Sequence, residues 1–203
     1  MSEQIFWNVI GDYNQHTIII QIVLMIFLAL SLLLSYSGKI IWIAKLALGL
    51  TNLYIGIVFF GIYGTEPIQK FFALPLYLLC GILFLYECMC NKYDKLKKPT
   101  CYQIILLLLY LIYPVISIIL GNHFPKMTTY IMPCPVISLS IAVYSSYESK
   151  NKFLLVLLTI WGLTGIKSVI FDVYEDLILL ICGIYGIILI VREIRKTKLS
   201  RKY

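Results

Sequence analysis

Two short stretches of this chain hold most of the residue types that could do chemistry. The first, GNHFPKMTTYIMPCP at 121–135, carries His123 and Lys126 and then sets Cys134 between Pro133 and Pro135. The second, IKSVIFDVYED at 166–176, runs from Lys167 to Asp172, Glu175 and Asp176. The N-terminal SEQIFWNVIGDYNQH adds Asp12 and Asn14. A cysteine, a histidine and a carboxylate brought together could supply a nucleophile or an acid/base pair. The lysine with its acids could instead frame a vestibule that attracts cations.

Spacing limits what can be made of these groups. His16 and His123 could ligate a metal with Asp12 or Cys134, but two imidazoles fall short of a usual catalytic zinc set. No HExxH or CxxCH run is present, so no metal site is assigned and the cofactor stays open. Cys88-Met-Cys90 followed by Cys101 looks like a soft-metal arrangement that lacks a second pair. Cys80 and Cys182 sit inside apolar runs and read as small hydrophobes. Each polar candidate also has a structural account. Prolines are tolerated where a helix begins. Lys167 can snorkel to an interface, and Glu175 and Asp176 suit the positive end of a helix dipole.

The elements that position these residues follow from composition. Hydrophobic residues make up 61% of the 203 and charged residues only 13%, where a soluble domain carries about a quarter charged residues. The apolar residues fall in long runs at 17–36, 40–63, 71–88, 102–120, 130–147, 153–171 and 177–194. Runs of ~18 or more apolar residues read as membrane-spanning helices. The expected fold is therefore all-α: a polytopic transmembrane helix bundle of about seven spans, forming one integral membrane domain over 1–203. Residues 1–16 are expected to form an interfacial N-terminal segment with a short helix that stops at Gly11. Residues 195–203 are expected to form a basic cytoplasmic tail. Pro114 should kink the fourth span and free a carbonyl.

Charge sets the orientation. With seven spans and the N-terminus outside, the inner side collects all of the 17 basic residues except Lys70, Lys126 and Lys167, as the positive-inside bias requires. If the fifth segment dipped in and returned, the split would become nearly even. The basic residues cluster at the ends of apolar runs, where they meet anionic headgroups. That placement, with no recognisable binding motif, excludes nucleic acid as a partner. All the polar candidates then fall on the outer side: Asp12, Asn14, His123, Pro133, Cys134, Pro135, Lys167, Asp172, Glu175 and Asp176.

The expected function is a small transporter or ligand-binding membrane protein with a polar outer rim. It would take a small molecule or lipid. One alternative is a membrane enzyme acting on a lipid or quinone at the outer interface. Another is a non-catalytic partner subunit. The inverted-repeat signature of many transporters is missing. The expected location is a bacterial cytoplasmic membrane, crossed several times.

Three pieces carry a resemblance: IGDYNQHT before the first span, YPVISIILGNHFPKMTTYIMPCP around the fourth and fifth, and YEDLILL entering the seventh. In that order they resemble a family of uncharacterised bacterial multispan integral membrane proteins. Similar members carry a YN-containing start, a Gly-His-x-Tyr-Pro stretch leading to Pro-Cys-Pro, and a Glu-Asp-Leu turn. Here Gly121 is followed by Asn122, and His123 stands one place later. The resemblance carries over to Asn14, Pro125, Pro133, Cys134, Pro135, Glu175 and Asp176. It implies the architecture and supplies no chemistry.

Overall fold

In hydrocarbon every backbone N–H and C=O must be satisfied within the protein, and a helix does this within one segment. Each of the seven apolar runs accordingly carries a helix in the computed structural model, which describes residues 3–92, 94–169 and 173–200. Among the described residues the only extended pairing is a single antiparallel bridge between Leu96 and Tyr147.

Helix α1 spans Glu3–Tyr36 without a break, about 51 Å at 1.5 Å per residue. This corrects the expectation of a separate short helix ending at Gly11. A Cβ on Gly11 would stand 3.1 Å from Lys126 Cγ, so the missing side chain makes room for the 125–126 loop and does not stop the helix. Helix α2 (Ile43–Tyr54) widens into a π-helix over Ile55–Tyr63. A second π turn, Gln69–Ala73, leads into α3 (Leu74–Cys90). Helix α4 (Cys101–Ile119) starts on a capping box between Thr100 and Gln103 and continues through Pro114. In that turn the Tyr130 hydroxyl donates to the carbonyl of Leu111 at 2.9 Å. The left-handed Gly121 (φ +93°) follows and turns the chain out of α4, a conformation that favours glycine.

Helix α5 covers Pro133–Ser145, and α6 covers Lys152–Leu163 with Asn151 as its N-cap. Short 3₁₀ turns at Thr164–Val169 and Tyr174–Asp176 precede α7 (Leu177–Ser200). The expected tail is thus helical as far as Ser200. Among the described residues, five helical stretches are long and apolar enough to cross a membrane: Gln4–Tyr36, Ile43–Tyr63, Gln69–Cys90, Cys101–Ile119 and Tyr174–Lys196.

Helix α5 is the axis of the bundle. Every residue from Pro133 to Ser145 is buried except Cys134, which is half-buried. Helices α2, α4, α6 and α7 pack around it. Helix α1 lies at the periphery and exposes Ile19, Val23, Ile26 and Leu33, the pattern of a surface turned to lipid. Helices α6 and α7 touch backbone to backbone, because a Cβ on Gly183 would fall 2.5 Å from the carbonyl carbon of Gly162. Small residues at such a crossing let helices approach closely where water supplies no driving force.

Candidate functional site

One end of the bundle is hollow. A cavity of about 460 Å³ lies beside the start of α5. Its walls are mainly apolar, with the aromatic Phe59, Phe60, Phe72 and Trp161 joined by Met132. Thr128, Cys134, Asp176, Lys167, Glu66 and Gln69 supply its polar groups. The aromatic rings support one another: Trp161 meets Phe60 edge to face at 5.5 Å and Tyr77 at 5.1 Å, and lies nearly parallel to Phe72 at 6.5 Å.

The loop before α5 forms part of this wall and is hung from α1 by side chains. Asn14 Nδ2 donates to the carbonyls of Pro125 (2.7 Å) and Met127 (2.8 Å). The Tyr13 hydroxyl donates to the Ile131 carbonyl at 2.7 Å. Gln21 braces Asn14 Oδ1 at 3.1 Å and accepts from the Thr129 hydroxyl at 2.7 Å. These bonds satisfy backbone groups that have no helical partner, which is the condition for irregular chain among buried helices.

The Pro-Cys-Pro run solves the same problem at the helix start. A helix leaves its first N–H groups without intrahelical partners. The first α5 bond runs from Val136 N to the Met132 carbonyl at 3.0 Å. Pro133 and Pro135 have no N–H, so two of the orphan donors do not exist. The Pro133 carbonyl is held by the Tyr77 hydroxyl at 2.6 Å. Buried prolines here permit a helix to begin inside the protein.

Two carboxylates stand against this helix start. Asp176 accepts from the Tyr113 hydroxyl at 3.1 Å and from the Cys134 thiol at 3.2 Å. Glu175 turns away from the cavity and is 1% exposed. Its Oε1 accepts from Ser117 (2.8 Å), Thr128 (3.3 Å) and Asn122 (3.4 Å). Its Oε2 is buried and has no partner among the described residues. All the donors are neutral, and neither acid makes an ion pair among the described residues.

The cavity brings together Pro133, Cys134, Pro135, Lys167 and Asp176 from the sequence candidates. Asn14 and Glu175 lie behind its wall, where they hold the 122–131 loop. Asp12 and His123 are exposed and do not line it. Asp172 lies outside the described residues. The aromatic wall was not singled out by sequence, since residues 59–60, 72 and 161 meet only through packing.

A second polar cluster at the opposite end was also missed. Lys45 is fully buried, with Nζ 2.8 Å from Asp94 Oδ2, 3.1 Å from Glu87 Oε2 and 4.3 Å above the Tyr147 ring. Asp94 Oδ1 accepts from the backbone N–H of Lys95 and Ser149. Two further backbone bonds join the 91–100 and 146–151 loops, Lys97 N to the Ser146 carbonyl and Glu148 N to the Lys95 carbonyl, both 2.9 Å. Charged residues within apolar runs are the signal that could have found it. In the same region burial pulls the Lys150 ammonium below the usual lysine range, and Glu193, 3.7 Å away, opposes the shift.

The chain belongs to a family of unknown function, DUF6064, which it matches over residues 3–201. No curated protein and no solved structure matches it.

Proposed function

We propose, for a family that lends no activity to its members, that this chain is a seven-span membrane protein that takes a small ligand into an outward-facing cavity. The N-terminus lies outside and the C-terminus inside, in a cell membrane. The protein acts as a ligand-binding protein or small transporter. The observation that carries the reading is the cavity: about 460 Å³, walled by aromatic rings, with Asp176, Cys134 and Thr128 converging on it. A mainly apolar cavity with a few placed polar groups is the usual form of a small-molecule site.

The positive-inside bias supports the orientation. Lys92, Lys95, Lys97, Lys98 and Arg192 are exposed at the end opposite the cavity, where they suit the anionic headgroups of an inner leaflet. The Lys45 cluster and the bonds between the 91–100 and 146–151 loops hold that end together.

The test is a thermal-shift screen of the purified protein in a neutral detergent against amphipathic small molecules and lipids. Thr164→Trp, which fills the cavity, is the control. Compounds that stabilise the native chain and not the filled variant are then assayed for flux into proteoliposomes. A screen in which every compound acts equally on both proteins would remove the reading. C-terminal reporter fusions check the orientation and are expected to report from the inner side.

A second reading, an enzyme at the outer interface, is favoured by one contact. The Cys134 thiol donates to Asp176 in the cavity wall, a pairing in which a carboxylate could receive a nucleophile's proton. Cys134→Ser would then stop turnover of any compound found to bind, whereas a binding protein would keep its affinity.

A further inference from the structure

We infer that the ligand of this cavity is an amphipathic organic cation: an amine, quaternary ammonium or phosphonium centre on an apolar or aromatic body. The inference rests on the reading of the cavity as a ligand site and names the class of ligand.

The first ground is the wall. Phe59 and Phe60 meet edge to face at 5.0 Å, and Trp161 sits edge to face against Phe60 and Tyr77. Phe6, Phe59, Phe60, Phe72 and Trp161 all line the cavity, and the face of an aromatic ring carries the negative part of its quadrupole. A cation within about 6 Å of a ring centroid is attracted, most strongly by tryptophan and more so when desolvated. Anions gain nothing from such faces.

The second ground is charge. Among the described residues that line the cavity, Asp176 and Glu66 are opposed by Lys167 alone. None of the three is ion-paired among the described residues. Lys167 is exposed, whereas Asp176 reaches inward to neutral donors at 3.1 and 3.2 Å. Behind it the buried Glu175 carboxyl likewise has only neutral donors. In surroundings of low dielectric, uncompensated acids create a field that an incoming cation relieves and an incoming anion meets as repulsion. The cavity's volume and apolar wall require that the cation carry a hydrophobic body; a bare metal ion or small hydrated ion would leave the rings unfilled.

The experiment uses two probes of nearly the same shape and opposite charge, tetraphenylphosphonium and tetraphenylborate. Each is titrated into the full-length protein in neutral detergent at low ionic strength. Trp7→Phe and Trp42→Phe are introduced so that fluorescence reports Trp161. The phosphonium is expected to change the signal saturably, with affinity at least ten-fold above that of the borate. Asp176→Asn should reduce phosphonium affinity at least ten-fold and shrink the difference between the probes. Phe72→Leu, at a half-exposed side chain, should weaken it several-fold without altering the circular dichroism spectrum. Saturable binding of both probes with equal affinity, or tighter borate binding, would overturn the cation inference and leave the cavity reading standing. Saturable binding of neither would remove both. Phosphonium binding untouched by Asp176→Asn and Phe72→Leu lies elsewhere and also overturns the inference.

Discussion

Replacing Lys45 by methionine should be among the most damaging single changes in this chain. Methionine keeps the length and apolar stem of the side chain and removes only the ammonium. Its loss leaves the side chains of Glu87 and Asp94, 6% and 3% exposed, facing each other without a cation. The Tyr147 ring loses the charge seated 4.3 Å above it. Breaking a buried ion pair by deleting one partner costs about 3–5 kcal/mol, because the remaining charge stays buried. For a chain of this length 1 kcal/mol corresponds to about 2–4 °C, so the melting temperature should fall by roughly 6–20 °C. The assay is thermal unfolding in detergent micelles, followed by circular dichroism at 222 nm. A triple variant, Lys45→Met with Glu87→Gln and Asp94→Asn, carries no charge in the cluster. The amide that replaces the Asp94 carboxylate keeps an acceptor oxygen for the N–H groups of Lys95 and Ser149, so the triple variant should recover most of the loss. A single variant that loses less than about 1 kcal/mol, the scale of an exposed pair, would refute the reasoning. So would a triple variant no more stable than the single one.

Two further changes test the packing around the cavity. Asn14→Leu removes the donors to Pro125 and Met127, which should cost about 2 kcal/mol for two part-buried bonds. It should also speed tryptic cleavage at Lys126, read by gel. Gly183→Ala places a Cβ 2.5–2.6 Å from backbone atoms of Gly162 and Leu163. Backbone cannot step aside as a flexible side chain can, so α6 and α7 must part at a cost of about 1–3 kcal/mol, measured as a lowered melting temperature.

The helices were legible because their cause is local. Long apolar runs such as 102–120 announce themselves, and the capping box at Thr100 and Gln103 is written in the residues that form it. Gly11 misled because a glycine can end a helix or admit a neighbour, and only the position of Lys126 decides which. Lys45 illustrates another limit. By type and position it belongs to a positive inner edge, yet its carboxylate partners stand 42 and 49 residues away in sequence. Nothing short of the packing of α2 against α3 says that it is buried. The aromatic wall is of the same kind. Pro-Cys-Pro was visible as an anomaly, but its purpose appears only once α5 is seen to begin among buried groups.

The enclosed position of α5 bears on how the chain is made. At 13 residues it is about 20 Å long, so it reaches across the ~30 Å hydrocarbon core only together with the buried chain at its two ends, 131–132 and 146–147. Its Ser138, Ser140 and Ser145 are buried against protein and not against lipid. A segment of this kind has no resting place in a bilayer by itself, and two of its four wrapping helices, α6 and α7, leave the ribosome after it. Helix α5 must therefore wait for chain that has not yet been synthesised. The last quarter of the polypeptide is thus a condition for the middle to settle, and a nascent chain halted before α7 would hold its future axis without a sheath.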